Sequence, residues 1–197
     1  MAGNKVTFGL EKVHVAFLKE DSTTPPEWEA PVHIPGAVSF TPTPQGGENT
    51  FYADNGPFFT HTTNNGYTAE LSMANLPDEI LAEMLGWEID SNGMLVEVTD
   101  GKPREFALLG QVLGDQKNRR FVYYRCKAAR PSKEFSTKTE TATPNPDNLT
   151  ITILPIEING RNYVKGHIEP NETNQAVYDA FFNAVLLPNA LPPSGEE

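Results

Sequence analysis

The side chains that could carry out chemistry in this chain include one cysteine and four histidines. A nucleophilic thiol needs a neighbouring base, but Cys126 lies in a predicted strand between Arg125 and Lys127, which point to the opposite face. Free cysteine packs like a small hydrophobic residue, so we predict a buried structural thiol. The histidines are far apart in sequence and form no i, i+4 pair of the kind that helical zinc sites use. They are His14, His33, His61 and His167.

Carboxylates are numerous enough to supply the acid and the base of a glycosidase-type site. Those considered are all predicted to lie in loops or on a solvated helix face, where their ordinary role is solubility. They are Asp21, Glu48, Asp54, Glu79, Glu83 and Asp115. The pair Gly46-Gly47 lacks the lysine and the following helix of a phosphate-binding loop. The sequence therefore predicts no catalytic residue, no cofactor and no metal site, and a protein that is not an enzyme.

Composition limits the class of protein further. A chain of 197 residues fits one domain with appendages, and its 17 prolines and 15 glycines favour many loops and arms. The net charge of −11 argues against binding to nucleic-acid backbones, which depends on Lys and Arg. One cysteine excludes an internal disulfide framework. No stretch is apolar enough for a signal region or a membrane span, so we expect a protein made and folded in the cytoplasm.

The first half of the chain is patterned mainly as strands. Apolar residues alternate over residues 13–17 and again over 67–73, as on strands with one buried face. Between them, residues 41–49 are rich in proline and glycine, and residues 51–61 carry aromatic residues without clean alternation. We therefore predict a long loop over 41–61. Asn64-Asn65-Gly66 predicts a turn after it, because Asn and Gly tolerate positive φ.

The second half combines two helical patterns with further strands. Pro77 suits a first helical turn and Gly86 a C-terminal cap, which predicts a short helix over 77–85. Apolar residues at helical spacing predict a second helix over 171–187. Strands are predicted at 94–98, 106–113, 121–128 and 149–154. The fold class is therefore mainly β (α+β), an antiparallel β-sandwich or partly open barrel with a flanking short helix, a long loop and a C-terminal helix.

The aromatic residues of the long loop allow two interpretations. The loop could pack its rings beneath its own domain, or it could contact another subunit, since exposed apolar loops mark interfaces. Composition alone leaves both open. The candidate interface residues are Pro42, Pro44, Glu48, Phe51, Tyr52, Asp54, Asn55, Phe58 and Phe59.

Short sequence blocks follow one another in a fixed order between Gly9 and Pro188. The two most specific are Phe51-Tyr52-Ala53-Asp54-Asn55 and Cys126-x-Ala128-x-Arg130-Pro131-Ser132. Others lie at residues 10–16, 34–40, 64–67, 76–79, 85–87 and 102–109. Over most of the chain, these blocks resemble the major tail proteins, the tail-tube subunits of long, non-contractile-tailed bacteriophages. The chain departs from that pattern at Phe181-Phe182, where the resemblance leads us to expect a Trp-containing aromatic pair.

The resemblance implies a structural virion protein. Its β-sandwich would assemble as hexameric rings, which stack into the tail tube that conducts DNA from the capsid to the host. The implied division is a tail-tube domain over 1–168, a C-terminal helix over 169–188 packed on it, and a flexible tail over 189–197. The implied partners are further copies of the chain and the tail tape-measure, tail terminator and distal tail proteins. Double-stranded DNA would pass through the lumen without specific binding, and the long loop would reach neighbouring subunits and rings.

An inner sheet lines the channel in such tubes, and this raises two expectations for the chain. The long strands predicted at 106–113 and 121–128 are the candidates for that sheet. Tyr123, Arg125 and Lys127 would share a strand face that meets solvent or the carboxylates of a neighbouring subunit. An acidic chain would not hold the phosphates of passing DNA.

The same predicted strands also fit a protein of another class. A glycan- or receptor-binding β-sandwich module of a phage or cell surface could use Trp28, Tyr52 and Tyr67 as an aromatic platform. Such a module would stay small and bind a glycan, whereas a tube subunit would assemble into rings or filaments.

Overall fold

A computed structural model describes residues 9–20, 25–113, 118–131 and 146–189 of the protein. Helical structure in these ranges comprises α1 (Asp78–Leu85), α2 (Gln175–Asp179) and a 3-10 turn over Ala180–Phe182. The strands are β1 (Leu10–Phe17), β2 (Val32–His33), β3 (Ala37–Pro44), β4 (Glu48–Ala53), β5 (Gly56–Thr62), β6 (Tyr67–Met73), β7 (Glu88–Ile89), β8 (Leu95–Val96), β9 (Phe106–Val112), β10 (Arg120–Ala128), β11 (Asp147–Ile153), β12 (Ile156–Ile158), β13 (Arg161–Tyr163) and β14 (Lys165–Ile168). The mainly β class is confirmed.

One antiparallel sheet holds most of the strands. Their order is β2-β1-β9-β10-β11-β6-β3. Strand β14 pairs with the first half of β10, and β11 pairs with its second half. The sheet curls until β1 lies near β3, but these two strands do not pair, so the barrel is not closed. This agrees with the predicted sandwich or partly open barrel.

The inner core, as we call the first hydrophobic cluster, collects alternate residues of β1, β6, β9, β10 and β11. Val15 of β1, Leu71 of β6 and Ile151 of β11 have no exposed surface. Burying an aliphatic side chain of this size stabilises the fold by about 1.5–3 kcal/mol. Because a one-residue slip would turn all such side chains outward, the alternation in the sequence fixes the register of these strands.

Helix α1 packs on the inner core and has the predicted bounds. It follows Pro77 and ends at Gly86, which has a left-handed φ of 71°. Ile80 and Met84 are buried one turn apart, on the face expected from their spacing. Local residue types are sufficient to place this helix.

The opposite side of the sheet carries a second cluster, which we call the outer core. Leu109 of β9 and Tyr124 of β10 pack there with Ile158 and Phe181. The cover over this side is built from the β12–β13 hairpin and the C-terminal residues. The sheet is therefore buried on both sides at its centre.

The C-terminal helix is shorter than predicted, because α2 and the 3-10 turn end at Phe182. Upstream, Asn171 Oδ1 accepts hydrogen bonds from the backbone amides of Thr173 and Asn174, both at 2.9 Å. Such a side-chain turn competes with a helical start. Downstream, residues 185–187 pack on the outer core, and Tyr124 Oη donates to the carbonyl of Leu186 at 3.1 Å. The part of the predicted flexible tail at 190–197 lies outside the described residues.

Strands β9 and β10 form the predicted antiparallel pair, but β9 does not provide the predicted surface that lines the channel. Residues 106–111 of β9 are all buried, because the two cores use its two faces. The tip of the hairpin at 114–117 lies outside the described residues. The predicted strand at 94–98 is reduced to β8, a short strand that pairs with β7. A strand buried on both faces within its own subunit has no face left for a channel.

A bulge in β10 corrects the prediction that Tyr123, Arg125 and Lys127 share one exposed face. The register with β9 shifts between Tyr123 and Cys126, and both of these side chains lie in the inner core. An extra residue in one strand reverses the alternation beyond it. Arg125 at the bulge instead binds Glu105, with Nε 2.8 Å from Oε2. Lys127 is exposed, whereas Tyr123 is buried.

Gly66, directly before β6, is expected to be essential for stability. Its φ is 93°, and a Cβ built there lies 2.0 Å from the carbonyl oxygen of Ile153. Gly93 has a similar φ of 81° but meets nothing within 4 Å. We expect Gly93→Ala to lower the free energy of unfolding by about 1 kcal/mol from backbone strain, and Gly66→Ala by about 3 kcal/mol because it adds the clash. Urea unfolding measures both, and equal losses would contradict the steric argument.

Candidate subunit interface

Residues 45–66 form an extension of the β3–β6 pair, which we call the arm. The Gln45 amide donates to the Gly66 carbonyl at 2.9 Å, and the Asn65 amide donates to the Gln45 carbonyl at 2.9 Å. Beyond these bonds, β4 and β5 pair with each other as a hairpin. The region predicted as a long loop, 41–61, is therefore the second half of β3 followed by most of the arm.

The sequence of the arm does not show the alternating pattern of a strand, because neither face of its strands is buried. Residues of β5 after Gly56 are exposed without interruption, so apolar and polar positions do not alternate. One local signal could have revealed the hairpin. Asp54 and Asn55 have φ values of 50° and 65°, and Asp and Asn are residues that tolerate the positive φ which both central positions of this two-residue turn need.

Four aromatic side chains of the arm are exposed to solvent. The exposed fractions are 63% for Phe51, 67% for Tyr52, 73% for Phe58 and 59% for Phe59. Phe51 and Phe59 face each other across the ladder, and Tyr52, the next residue along β4, points to the other face. Since an aromatic side chain offers about 150–250 Å², the four together expose on the order of 500 Å². This area is divided between the two faces of the hairpin, and none of the four rings is packed beneath its own domain.

The remaining candidate interface residues lie at the base and the tip of the arm. Glu48 begins β4, and Asp54 and Asn55 form the turn at its tip. Pro42 and Pro44 lie in β3, which pairs with β6 on one side only. Because the Gln45 amide points towards β6, alternation turns positions 42 and 44 towards the open edge. Proline supplies no donor there, which protects the edge from pairing with a further strand.

A second surface, which we call the hydroxyl face, covers the side of β3, β6 and β11 that is turned away from the inner core. Its members alternate with the residues of these strands that point towards the inner core, and the sheet aligns them in rows such as Thr41, Glu70 and Thr150. The Thr150 hydroxyl donates to Glu70 Oε1 at 2.9 Å. The hydroxyl face comprises Ser39, Thr41 and Thr43 of β3, Thr68, Glu70 and Ser72 of β6, and Asn148, Thr150 and Thr152 of β11.

The hydroxyl face is close to electrically neutral. Among its described residues Glu70 is the charged one, and Lys127 of β10 lies beside it, opposite Thr152. These two charges have opposite signs, whereas the chain as a whole carries −11. The acidic excess of the chain therefore lies elsewhere than on this face.

The cysteine and two of the histidines considered for chemistry take part in packing. Cys126 is fully buried, and this burial raises the pKa of its thiol, so the thiolate is disfavoured. The sheet brings His14 and His33 together, with ring centroids 4.9 Å apart, and burial lowers the pKa of His14. Across the described ranges, no group of three or more His, Cys, Asp or Glu residues could hold a metal ion.

The described candidate carboxylates belong to two separate elements, α1 and the arm. Glu83 of α1 pairs with Arg104, which also binds Glu29 at 2.6 Å. Asp21 and Asp115 lie outside the described residues. Glu48 and Asp54 belong to the arm, far along the chain from α1. Among the described candidates, Glu79 and Glu83 lie one turn apart on α1, where Glu83 is paired with Arg104.

The three residues proposed as a glycan platform do not form one surface. Trp28 packs in the outer core, 6.2 Å from Tyr124 between ring centroids. Tyr67 packs against the inner core, with its ring centroid 5.8 Å from that of Tyr123. Tyr52 alone of the three is an exposed residue of the arm. The sheet itself separates Trp28 from Tyr67.

The curled sheet, the exposed aromatic arm and the hydroxyl face define a β-rich structural protein. A family model for phage tail tube proteins matches residues 45–185, which is more than half of the chain and includes the whole arm. The chain belongs to the phage tail tube protein family, and its role is structural, in the phage tail. Comparison with curated proteins gives no match. None of the helices in the described part of the chain has the length and apolar character needed to cross a membrane.

Proposed function

We propose that the protein polymerises as hexameric rings that stack into the tail tube and conduct double-stranded DNA from the capsid to the host. The observation that carries the proposal is the arm, with four aromatic rings exposed on a hairpin that projects from the sheet. Surface of this extent, added to an equal area on a partner, reaches roughly the 1,000 Å² expected of a specific protein interface. The arm therefore supports contacts between subunits.

The hydroxyl face is the part of the protein that we assign to the lumen. Neutral hydroxyl and amide groups hydrate well and give phosphate groups no cation to bind, so DNA would slide past without a salt-dependent attraction. This replaces β9 as the candidate lining, because β9 is buried on both faces. The charge argument changes as well: the near neutrality of this face, more than the acidity of the chain, would keep DNA from adhering.

The proposed partners follow from the position of a tube in a tail. Copies of the chain would form the tube, the tape-measure protein would fill its lumen before ejection, and the terminator and distal tail proteins would meet its two ends. The protein would act in the virion after synthesis in the host cytoplasm and would not be an enzyme.

Electron microscopy of the purified protein tests the proposal directly. We expect sixfold rings and stacked tubes at high protein concentration or in the presence of the complex that initiates tail assembly. A particle that stays monomeric at high concentration and also fails to enter tails would contradict the proposal. If such a particle bound a glycan, the binding-module interpretation would replace it.

A further inference from the structure

A shallow groove runs beside the C-terminal helix, where α2, the 3-10 turn and residues 184–187 line it. Its volume is about 400 Å³ and the side chains that line it are all apolar, with Val177, Ala180, Ala184 and Val185 among them. Tyr178 and Phe181 anchor the helical segment on the protein. Phe181 also lines the groove, which is therefore continuous with the outer core, and Val177 is 44% exposed.

We infer that this groove is the docking site for the aromatic arm of a second copy of the chain. The inference rests on the proposed assembly function and names the surface that receives the arm. Nothing on the described part of the arm covers its four rings. The exposed area of these rings, added to an equal area on a partner, is about what a specific interface buries. The groove is large enough to receive an aromatic side chain, and its lining lacks charge.

Charge favours this pairing over other contacts between copies. Each subunit carries −11 and repels its neighbours. The arm has two charged residues, Glu48 at its base and Asp54 at its tip, and the segments that carry the rings, 49–53 and 55–66, have none. The arm and the groove therefore meet where repulsion between copies is small and where apolar burial contributes most.

The arrangement also accounts for polymerisation. The arm continues the β3–β6 pair, whereas the groove lies with the C-terminal residues that cover β9 and β10 on the other side of the sheet. Two different patches that complement each other give a head-to-tail contact, and such contacts generate rings when the rotation closes and filaments when it does not. A self-complementary patch would instead stop at a dimer.

Thiol cross-linking tests the inference in the full-length protein. Phe58→Cys places a thiol on the arm and Val177→Cys places one in the groove, both at exposed positions, while the native Cys126 is buried and disfavoured as a thiolate. With a short thiol-to-thiol cross-linker, we expect the double variant to give a ladder of covalent multimers. A mixture of the two single variants should give covalent dimers that contain one chain of each. Phe58→Cys combined with Met94→Cys, an exposed position in the β7–β8 turn, is the matched control and should give no ladder.

The outcomes separate this inference from the proposed function. Tubes that form normally while neither Val177→Cys nor Ala184→Cys cross-links to the arm would overturn the groove contact and leave the tube function standing. Cross-linking that appears only after truncation at Asn189 would also overturn the inference. That result would mean that residues 190–197 of the same chain occupy the groove in the full-length protein. Failure of the unmodified protein to assemble under any condition would count against the function itself.

Discussion

Replacing Phe51 and Phe59 by alanine will block assembly and leave a folded subunit. Truncating an aromatic residue at the centre of an interface costs about 2 kcal/mol or more. The two changes should therefore weaken each contact on the order of a thousandfold. Both rings are more than half exposed in the subunit, so the free energy of unfolding should change by less than about 0.5 kcal/mol.

Sizing, electron microscopy and circular dichroism should be measured on the same samples of this variant. Met94→Ala is the matched control, because Met94 is 60% exposed but lies outside the arm; it should assemble normally. Loss of the fold together with assembly would place the two rings in the subunit's own core and contradict the interface. Deleting residues 41–49 would not replace this test, because the deletion removes half of β3, which pairs along β6.

Introducing a lysine on the hydroxyl face will slow DNA ejection. Thr152→Lys adds one cation per subunit beside Lys127, and every ring of the tube then presents several cations to the passing phosphates. Each phosphate contact adds an attraction that weakens as salt rises. At low salt we expect ejection to slow on the order of tenfold, with the difference shrinking at high salt and tube length unchanged.

Thr152→Gln is the control for side-chain size, since it lengthens the side chain without a charge and should eject DNA at the normal rate. Once the tube has formed, Thr152→Cys should react with a small thiol reagent but not with one too bulky to enter the tube, which distinguishes a lumen position from one buried between subunits. If the lysine variant ejects DNA at the normal speed and the cysteine variant reacts with the small reagent only, the electrostatic account of DNA passage is ruled out.

The sequence by itself determined the elements whose signals are local or strictly periodic. Pro77 and Gly86 set the two ends of α1, because one suits a helical start and the other a left-handed cap. The alternation over 67–73 and 149–153 predicted β6 and β11 with their buried faces, since one face of each strand meets an apolar core. The polar residues that alternate with them form the hydroxyl face, although the sequence did not indicate that β3, β6 and β11 lie side by side.

Only the tertiary structure decided the features that depend on distant partners. The arm was predicted as a loop because its strands bury neither face, and a strand without a buried face has no apolar period. The bulge at Arg125 and the burial of both faces of β9 follow from two cores that meet at one sheet. The predicted C-terminal helix ends early, and residues 185–187 pack on the outer core instead of continuing it. Local signals act within a few residues, whereas these outcomes depend on contacts between residues far apart in the chain.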